Sequence, residues 1–209
     1  MNDATEYLRF FVTLIAVVDP FLAVPIFLAV TSGRRDESRA RLARAIALTV
    51  FVVLSITAFV GEALLTIIGA SLPSFRVGGG LVLLLMALAM LNAEAGPVRH
   101  TEAEAQEAIA GDVGGIVPLA IPLLAGPGAI STTILAAEDG GFVHRLAIVA
   151  CIAIVCVLAW LVLSNAHRIA TRVSLTAMNV ATRILGLLLA AMAVQIMAQG
   201  LRELLPGLG

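Results

Sequence analysis

The stretch from Val117 to Ile134 reads V-P-L-A-I-P-L-L-A-G-P-G-A-I-S-T-T-I, and it constrains the fold more than any other part of the chain. It is apolar enough to cross a bilayer, yet Pro118, Pro122, Gly126, Pro127 and Gly128 each damage an α-helix, and Ser131, Thr132 and Thr133 follow directly. In lipid, interrupted backbone is tolerated only where protein or a watery cavity satisfies the freed N–H and C=O groups. Something polar is therefore expected beside this break. A second span carries a related interruption, Asp19-Pro20 followed by Pro25, and the two breaks occupy corresponding positions in two halves of the chain. Paired broken helices of this kind point to the binding site of a secondary transporter.

Composition agrees with a membrane solvent. Hydrophobic residues make up 60% and charged residues 13%, against roughly 45 to 50% and about 25% in soluble domains. The chain reads as all-α and polytopic: its 209 residues, with little loop, accommodate about six spans of about 20 residues each. A net charge of -1 speaks against a nucleic-acid partner, and all 13 basic residues are Arg. Without a lysine there is no Walker A phosphate loop. Cys151 and Cys156 lie five apart on one predicted helix, about 140° around it, so they cannot bridge each other and read as packing residues. The acidic start, with Asp3 and Glu6, lacks the pattern of a secretory signal. The first apolar segment is expected to stay in the membrane.

The first span is expected over about residues 8–30. Asp19 near its middle precedes Pro20, the local grammar of a helix start with Asp as N-cap and Pro at N1. Asp19 is then either that cap alone or a carboxylate at membrane depth that binds a cationic group or a proton, since intramembrane ionisable residues are costly. Residues 32–44 read as a basic loop with Arg34, Arg35, Arg39, Arg41 and Arg44. The second span, about 45–68, carries Gly61-Glu62 near its end. Glu62 either snorkels to headgroup water or gates the mouth of the pathway. The third, about 75–92, opens with Arg76 and Gly78-Gly79-Gly80, glycines that read as helix-packing positions.

Residues 94–115 form a polar linker, with Thr101 and Glu104 spaced as a capping box for a short surface helix. It separates a first repeat, 1–93, from a second, 116–209, within one membrane domain. The fourth span, about 116–137, is the opening stretch; the fifth is expected over about 146–163 and the sixth over about 184–201. Gln195 and Gln199 in the sixth either bond a neighbouring helix or reach a ligand. Counting arginines with the N-terminus outside puts nine on the inner side (34, 35, 39, 41, 44, 99, 168, 172, 183) and four outside (9, 76, 145, 202). That balance places both termini outside.

Shifted by 107 residues, Pro20 falls on Pro127, Arg76 on Arg183, Gly79 on Gly186 and Met90 on Met197 without a gap. Three spans per repeat is an odd number, so the second copy enters the membrane inverted. Inverted repeats with discontinuous first helices bring two half-helix N-termini near the midplane, where they favour an anionic group.

Val18-Asp19-Pro20 with Pro25-Ile26-Phe27, Gly61-Glu62, Gly79, Val117-Pro118-Leu119-Ala120-Ile121-Pro122 with Gly126-Pro127, and Arg183-Ile184-Leu185-Gly186 with Gln195 resemble the MarC family, also called the neutral amino acid transporter family. The resemblance covers essentially the whole chain. It implies a six-helix bacterial inner-membrane protein related to the LysE-type exporters, some of whose relatives are regarded as carriers of small neutral amino acids such as glycine and alanine. Departures are Phe21, Leu22 and Ala23, where the family often has Leu-Gly-Asn, and Gln199, where an aspartate is common.

The expected function is therefore secondary transport of a small neutral amino acid or similar solute. The freed N–H groups from Gly128 to Ser131 and the hydroxyls of Ser131 and Thr132 take its carboxylate, beside Pro20, Gly126, Pro127 and Gln195. Asp19 takes its ammonium or a coupling proton, Glu62 is a gate candidate, and Gly79 and Gly186 are packing positions. The alternatives are a non-transporting scaffold or regulator, a small-solute channel, or an intramembrane enzyme. The last is disfavoured because His100, His144 and His167 lie at or beyond span ends. No metal or cofactor is expected beyond a coupling H+ or Na+; the partners are a small-molecule substrate and the bilayer, with homo-oligomerisation left open.

Overall fold

The computed structural model describes residues 4–31, 33, 35–92, 124–138 and 141–206. Every regular element among them is helical: α1 (Ala4–Val18), α2 (Pro20–Val30), α3 (Asp36–Ile68), α4 (Leu72–Asn92), α5 (Pro127–Ala137), α6 (Phe142–Ser164), α7 (Ala166–Arg172) and α8 (Leu175–Leu204). Among the described residues, counting α1 with α2, five candidates are long and apolar enough to span a membrane, and α5 is a shorter apolar helix. The 94–115 linker, its Thr101/Glu104 motif and His100, and residues 116–123 with Pro118 and Pro122 lie outside the described residues.

The bundle is apolar on its outside. Leu48, Val52, Ile56, Val60 and Leu64 line an exposed stripe of α3, and α6 and α8 carry similar ones, as a lipid-facing helix requires. Burial instead singles out the broken helix: 56% of its apolar window is inside the protein, against 22 to 33% for the four other spans. α5 is enclosed as well, with Gly128, Ala129, Ser131, Thr132, Thr133, Ile134 and Ala137 buried. Both interrupted elements thus sit where neighbouring helices, not lipid, surround them.

α4 and α8 pack antiparallel along most of their length. Gly186 near the start of α8 faces Met90 at the end of α4, and Gly200 near the end of α8 faces Pro73 at the start of α4. α3 and α6 are antiparallel too, since Arg145 at the start of α6 reaches Phe59 and Glu62 toward the end of α3. α2 packs on α6 and α8, while α5 packs on α3 and α4.

Three boundaries differ from the sequence reading. Residues 36–44 are the first turns of α3 and not loop. Arginine is a good helix former, and Asp36 and Glu37 in the first turn complement the helix dipole. Residues 166–172 form α7. The last helix begins at Leu175, not near Ile184, with the Ser174 hydroxyl accepting from the Ala177 N–H at 3.2 Å as its N-cap. Arg183 is consequently an exposed helical residue. In each case polar residues continue a helix past its apolar stretch, which hydropathy does not register.

Candidate functional site

The break between α1 and α2 is made by one residue. Pro20 lacks the N–H that would continue α1, and a residue before proline is driven out of the α region. Asp19 takes the left-handed conformation, φ 36° and ψ 72°, which aspartate tolerates better than most residues. Its own N–H still closes α1 on the Ile15 carbonyl at 3.0 Å. Its Oδ1 accepts from the Leu22 N–H at 3.3 Å, capping α2. Asp19 is 1% exposed.

α5 begins in the same way, with Gly126 as N-cap and Pro127 at N1, but Gly126 brings no side chain to cap it. The Ile130 N–H already donates to the Gly126 carbonyl at 3.1 Å. The N–H groups outside the helical ladder are therefore those of Gly128 and Ala129, a narrower set than the Gly128 to Ser131 expected. A shift of 107 superposes the limits of α2 on those of α5, Pro20 on Pro127 and Val30 on Ala137.

Helix packing places α5 through glycines. A Cβ on Gly79 would stand 3.2 Å from Ser131 Cβ, and one on Gly61 2.5 Å from Ile134 Cγ1. Gly128 lies against Leu83 and Met86 of α4. These close approaches bury Ser131, Thr132 and Thr133.

Two threonines of α5 behave unlike those of α1 to α3, and only Ser55 of α3 shares their state among the described residues, its hydroxyl being likewise buried without a partner. Thr13, Thr31, Thr57 and Thr66 each donate to the carbonyl four residues earlier, at 2.7 to 3.0 Å, the usual refuge of a helical threonine. Thr132 and Thr133 do not; both Oγ1 atoms are buried and have no hydrogen-bond partner among the described residues. An unsatisfied buried hydroxyl costs on the order of 1 to 3 kcal/mol. Thr132 also lines a cavity of about 330 Å³.

That cavity is a vestibule at the end of the bundle where α1 and α6 begin and α5 ends. Glu6, Tyr7, Arg9 and Thr13 line it from α1, Arg76 from α4, Glu138 and His144 from the α5–α6 corner, and Gln195 and Gln199 from α8. Arg76 Nη2 donates to Glu138 Oε2 at 3.1 Å, and its Nη1 to Glu203. The Tyr7 hydroxyl meets His144 Nδ1 at 3.0 Å, and His144 Nε2 lies 2.7 Å from the Ala136 carbonyl. A carbonyl only accepts, so Nε2 is the donor in that contact, and in the neutral ring Nδ1 is then the acceptor facing Tyr7. The histidine pins α1, α5 and α6 together.

Of the expected site residues, Thr132 and Gln195 meet in this vestibule. Asp19, Pro20, Gly126, Pro127, Gly128 and Ser131 do not line it; they form the two helix starts and their packing. Glu62 stands apart, its Oε2 2.5 Å from Arg145 Nη2 with 63% of its side chain exposed. Such a pair contributes little. A double-mutant cycle with Glu62→Gln and Arg145→Gln is expected to give a coupling under about 1 kcal/mol, measured by reversible unfolding in mixed micelles. The sequence reading missed the Arg76, Glu138 and His144 cluster, although its arginine count already placed Arg9, Arg76, Arg145 and Arg202 on one side.

Apolar exterior, buried broken helices and a polar vestibule together define a polytopic helical integral membrane protein. The chain belongs to the MarC family: the model of the MarC family integral membrane protein matches residues 4–205. It is 32% identical over 207 residues to UPF0056 membrane protein YhcE of Escherichia coli (strain K12), covering 99% of this chain and 96% of that one. It is also 33% identical over 199 residues to UPF0056 membrane protein YvbG of Bacillus subtilis (strain 168), covering 94% of each. No solved structure matches it significantly.

Proposed function

We propose that this protein is a secondary transporter, not an enzyme, that moves small neutral amino acids of glycine or alanine size, or similar small solutes, across a bacterial inner membrane. Its six spans form two inverted three-helix repeats with periplasmic termini. The observation that carries this reading is the pair of proline-led half-helices, α2 and α5, each starting inside the bundle with buried threonine hydroxyls that lack a partner among the described residues on one of them. Broken helices at the repeat interface are where secondary transporters bind substrate.

Two further features support it. α2 packs on α6 and α8 as α5 packs on α3 and α4, so each half-helix rests on the long helices of the other half, as an inverted pair would. The vestibule, about 330 Å³, falls in the usual size range of small-molecule sites, and it offers both charge signs and amide donors for a zwitterion. The solute passes from the vestibule, which Thr132 lines, to the two helix starts, where the N–H groups of Gly128 and Ala129, with Thr132, take the carboxylate and Asp19 takes the ammonium or a coupling H+ or Na+. Access alternates by rocking one repeat against the other about the two breaks.

The test is uptake and counterflow of radiolabelled glycine and alanine in proteoliposomes, with and without a proton gradient. Flux that depends on the gradient in the wild type and loses that dependence in Asp19→Asn is expected. Currents far faster than carrier turnover would replace the carrier by a channel, and no flux of these or other small solutes would favour a scaffold.

A further inference from the structure

On the lipid-facing side of the bundle, away from the vestibule, α3 and α6 enclose a groove of about 280 Å³. Its walls are Leu48 and Phe51 of α3 and Cys156 and Val157 of α6, with Arg44 and Trp160 as its polar members. Leu48 and Val157 are exposed apolar residues, so the groove opens toward the acyl region of the bilayer. The stretch from Arg44 to Phe51 rises on the order of 10 Å along the helix, about a third of the thickness of a hydrocarbon core of about 30 Å.

The two polar members are both donors without acceptors. Arg44 is exposed and makes no ion pair among the described residues. Arg41, three residues earlier and exposed, shares that face of the helix. The Trp160 indole Nε1 is buried and has no hydrogen-bond partner among the described residues. An indole N–H of this kind usually finds a partner. A guanidinium and an N–H donor at one end of the groove, with an apolar channel along the rest of it, match the phosphate and ester region and an acyl chain of a phospholipid.

We propose that the α3–α6 groove is a binding site for an anionic glycerophospholipid, its phosphate on Arg44, an ester oxygen near the Trp160 N–H and an acyl chain against Leu48, Phe51 and Val157. Arginine favours phosphate through paired N–H donors, and basic pockets between transmembrane helices select anionic headgroups. A zwitterionic lipid brings its own cation to the same place and loses that advantage. The site lies outside the proposed transport pathway and stands whether or not that pathway carries amino acids.

Trp160 is the only tryptophan in the chain, so its fluorescence reports on this groove alone. The full chain is reconstituted in phosphatidylcholine bilayers containing equal mole fractions of dibrominated phosphatidylglycerol or dibrominated phosphatidylcholine. The brominated anionic lipid is expected to compete for the quenching position about fivefold better than the brominated zwitterionic one. Arg44→Gln is expected to erase that preference, while Arg44→Lys and, at the opposite end of the bundle, Arg202→Gln keep it. Equal quenching by the two lipids in the wild type, or a preference that survives in a folded Arg44→Gln, would overturn the proposal.

Discussion

Asp19→Asn is expected to keep the wild-type fold while its solute flux falls at least about tenfold, the loss of one hydrogen bond to a charged group. Asp19→Ala is expected to lose about 2 to 3 kcal/mol of stability. The two substitutions separate the two roles open to this residue. As a joint, Asp19 must adopt φ 36° and accept from the Leu22 N–H; asparagine does both, alanine neither. Losing the cap costs about 1 kcal/mol and forcing alanine into the left-handed region about 1 to 2 more. Asp19→Gly completes the series, since glycine is at ease at that φ and costs a cap only a few tenths of a kcal/mol. A residue that only joins two helices makes transport follow stability, with Asn and Gly active and Ala impaired. A carboxylate that binds substrate or a coupling ion makes Asn and Gly stable, with flux at least about tenfold lower and no longer dependent on the proton gradient. Unfolding by denaturing detergent, read beside proteoliposome flux for the three variants, gives both quantities on the same samples. Full flux in Asp19→Asn would remove the carboxylate from the mechanism.

Much of this was legible in the residues. The Asp19-Pro20 pair predicts its own conformation, because proline excludes its predecessor from the helix and aspartate tolerates the alternative; the observed φ of 36° is the consequence. Gly126-Pro127 predicts the start of α5 for the same reason. Helix ends rich in arginine were not legible, since Arg39, Arg41 and Arg44 read as polar and therefore as loop, although they extend α3 toward its start at Asp36. The vestibule was illegible for a different reason. It is assembled from Tyr7 of α1, Arg76 of α4, His144 of α6 and Glu138 just past the end of α5, which become neighbours only when the helices close on one another. Sequence spacing carries no record of such a meeting. The run Gly78-Gly79-Gly80 shows the limit within a single helix: Gly79 and Gly80 are buried against other helices, whereas a Cβ on Gly78 meets nothing within 4 Å.

That contrast sets the sign of a second large effect. Gly200→Ala is expected to destabilise the protein by about 2 kcal/mol, and Gly78→Ala to stabilise it by about 0.5 to 1 kcal/mol. Both are glycine-to-alanine changes in apolar helices, so intrinsic helix propensity favours alanine equally in each. The surroundings decide the difference. A Cβ on Gly200 would stand 2.7 Å from the Pro73 carbonyl oxygen and 2.9 Å from Arg76 Cβ, atoms that move only if α4 moves. Gly186 meets the same obstacle at the other end of the pair, with Met90 Cβ at 2.8 Å and the Ala87 carbonyl at 3.1 Å. Lipid offers no hydrophobic compensation for the separated helices, because association in a bilayer rests on close packing and not on expulsion of water. Displacing the start of α4 also shifts Arg76, whose guanidinium bridges Glu138 and Glu203 at the vestibule. Gly200→Ala should therefore reduce both stability and flux, while Gly78→Ala leaves flux unchanged. Steric-trap unfolding in bicelles measures the first quantity and proteoliposome uptake the second. Equal stability of the two variants would mean that α4 and α8 do not meet at Gly200.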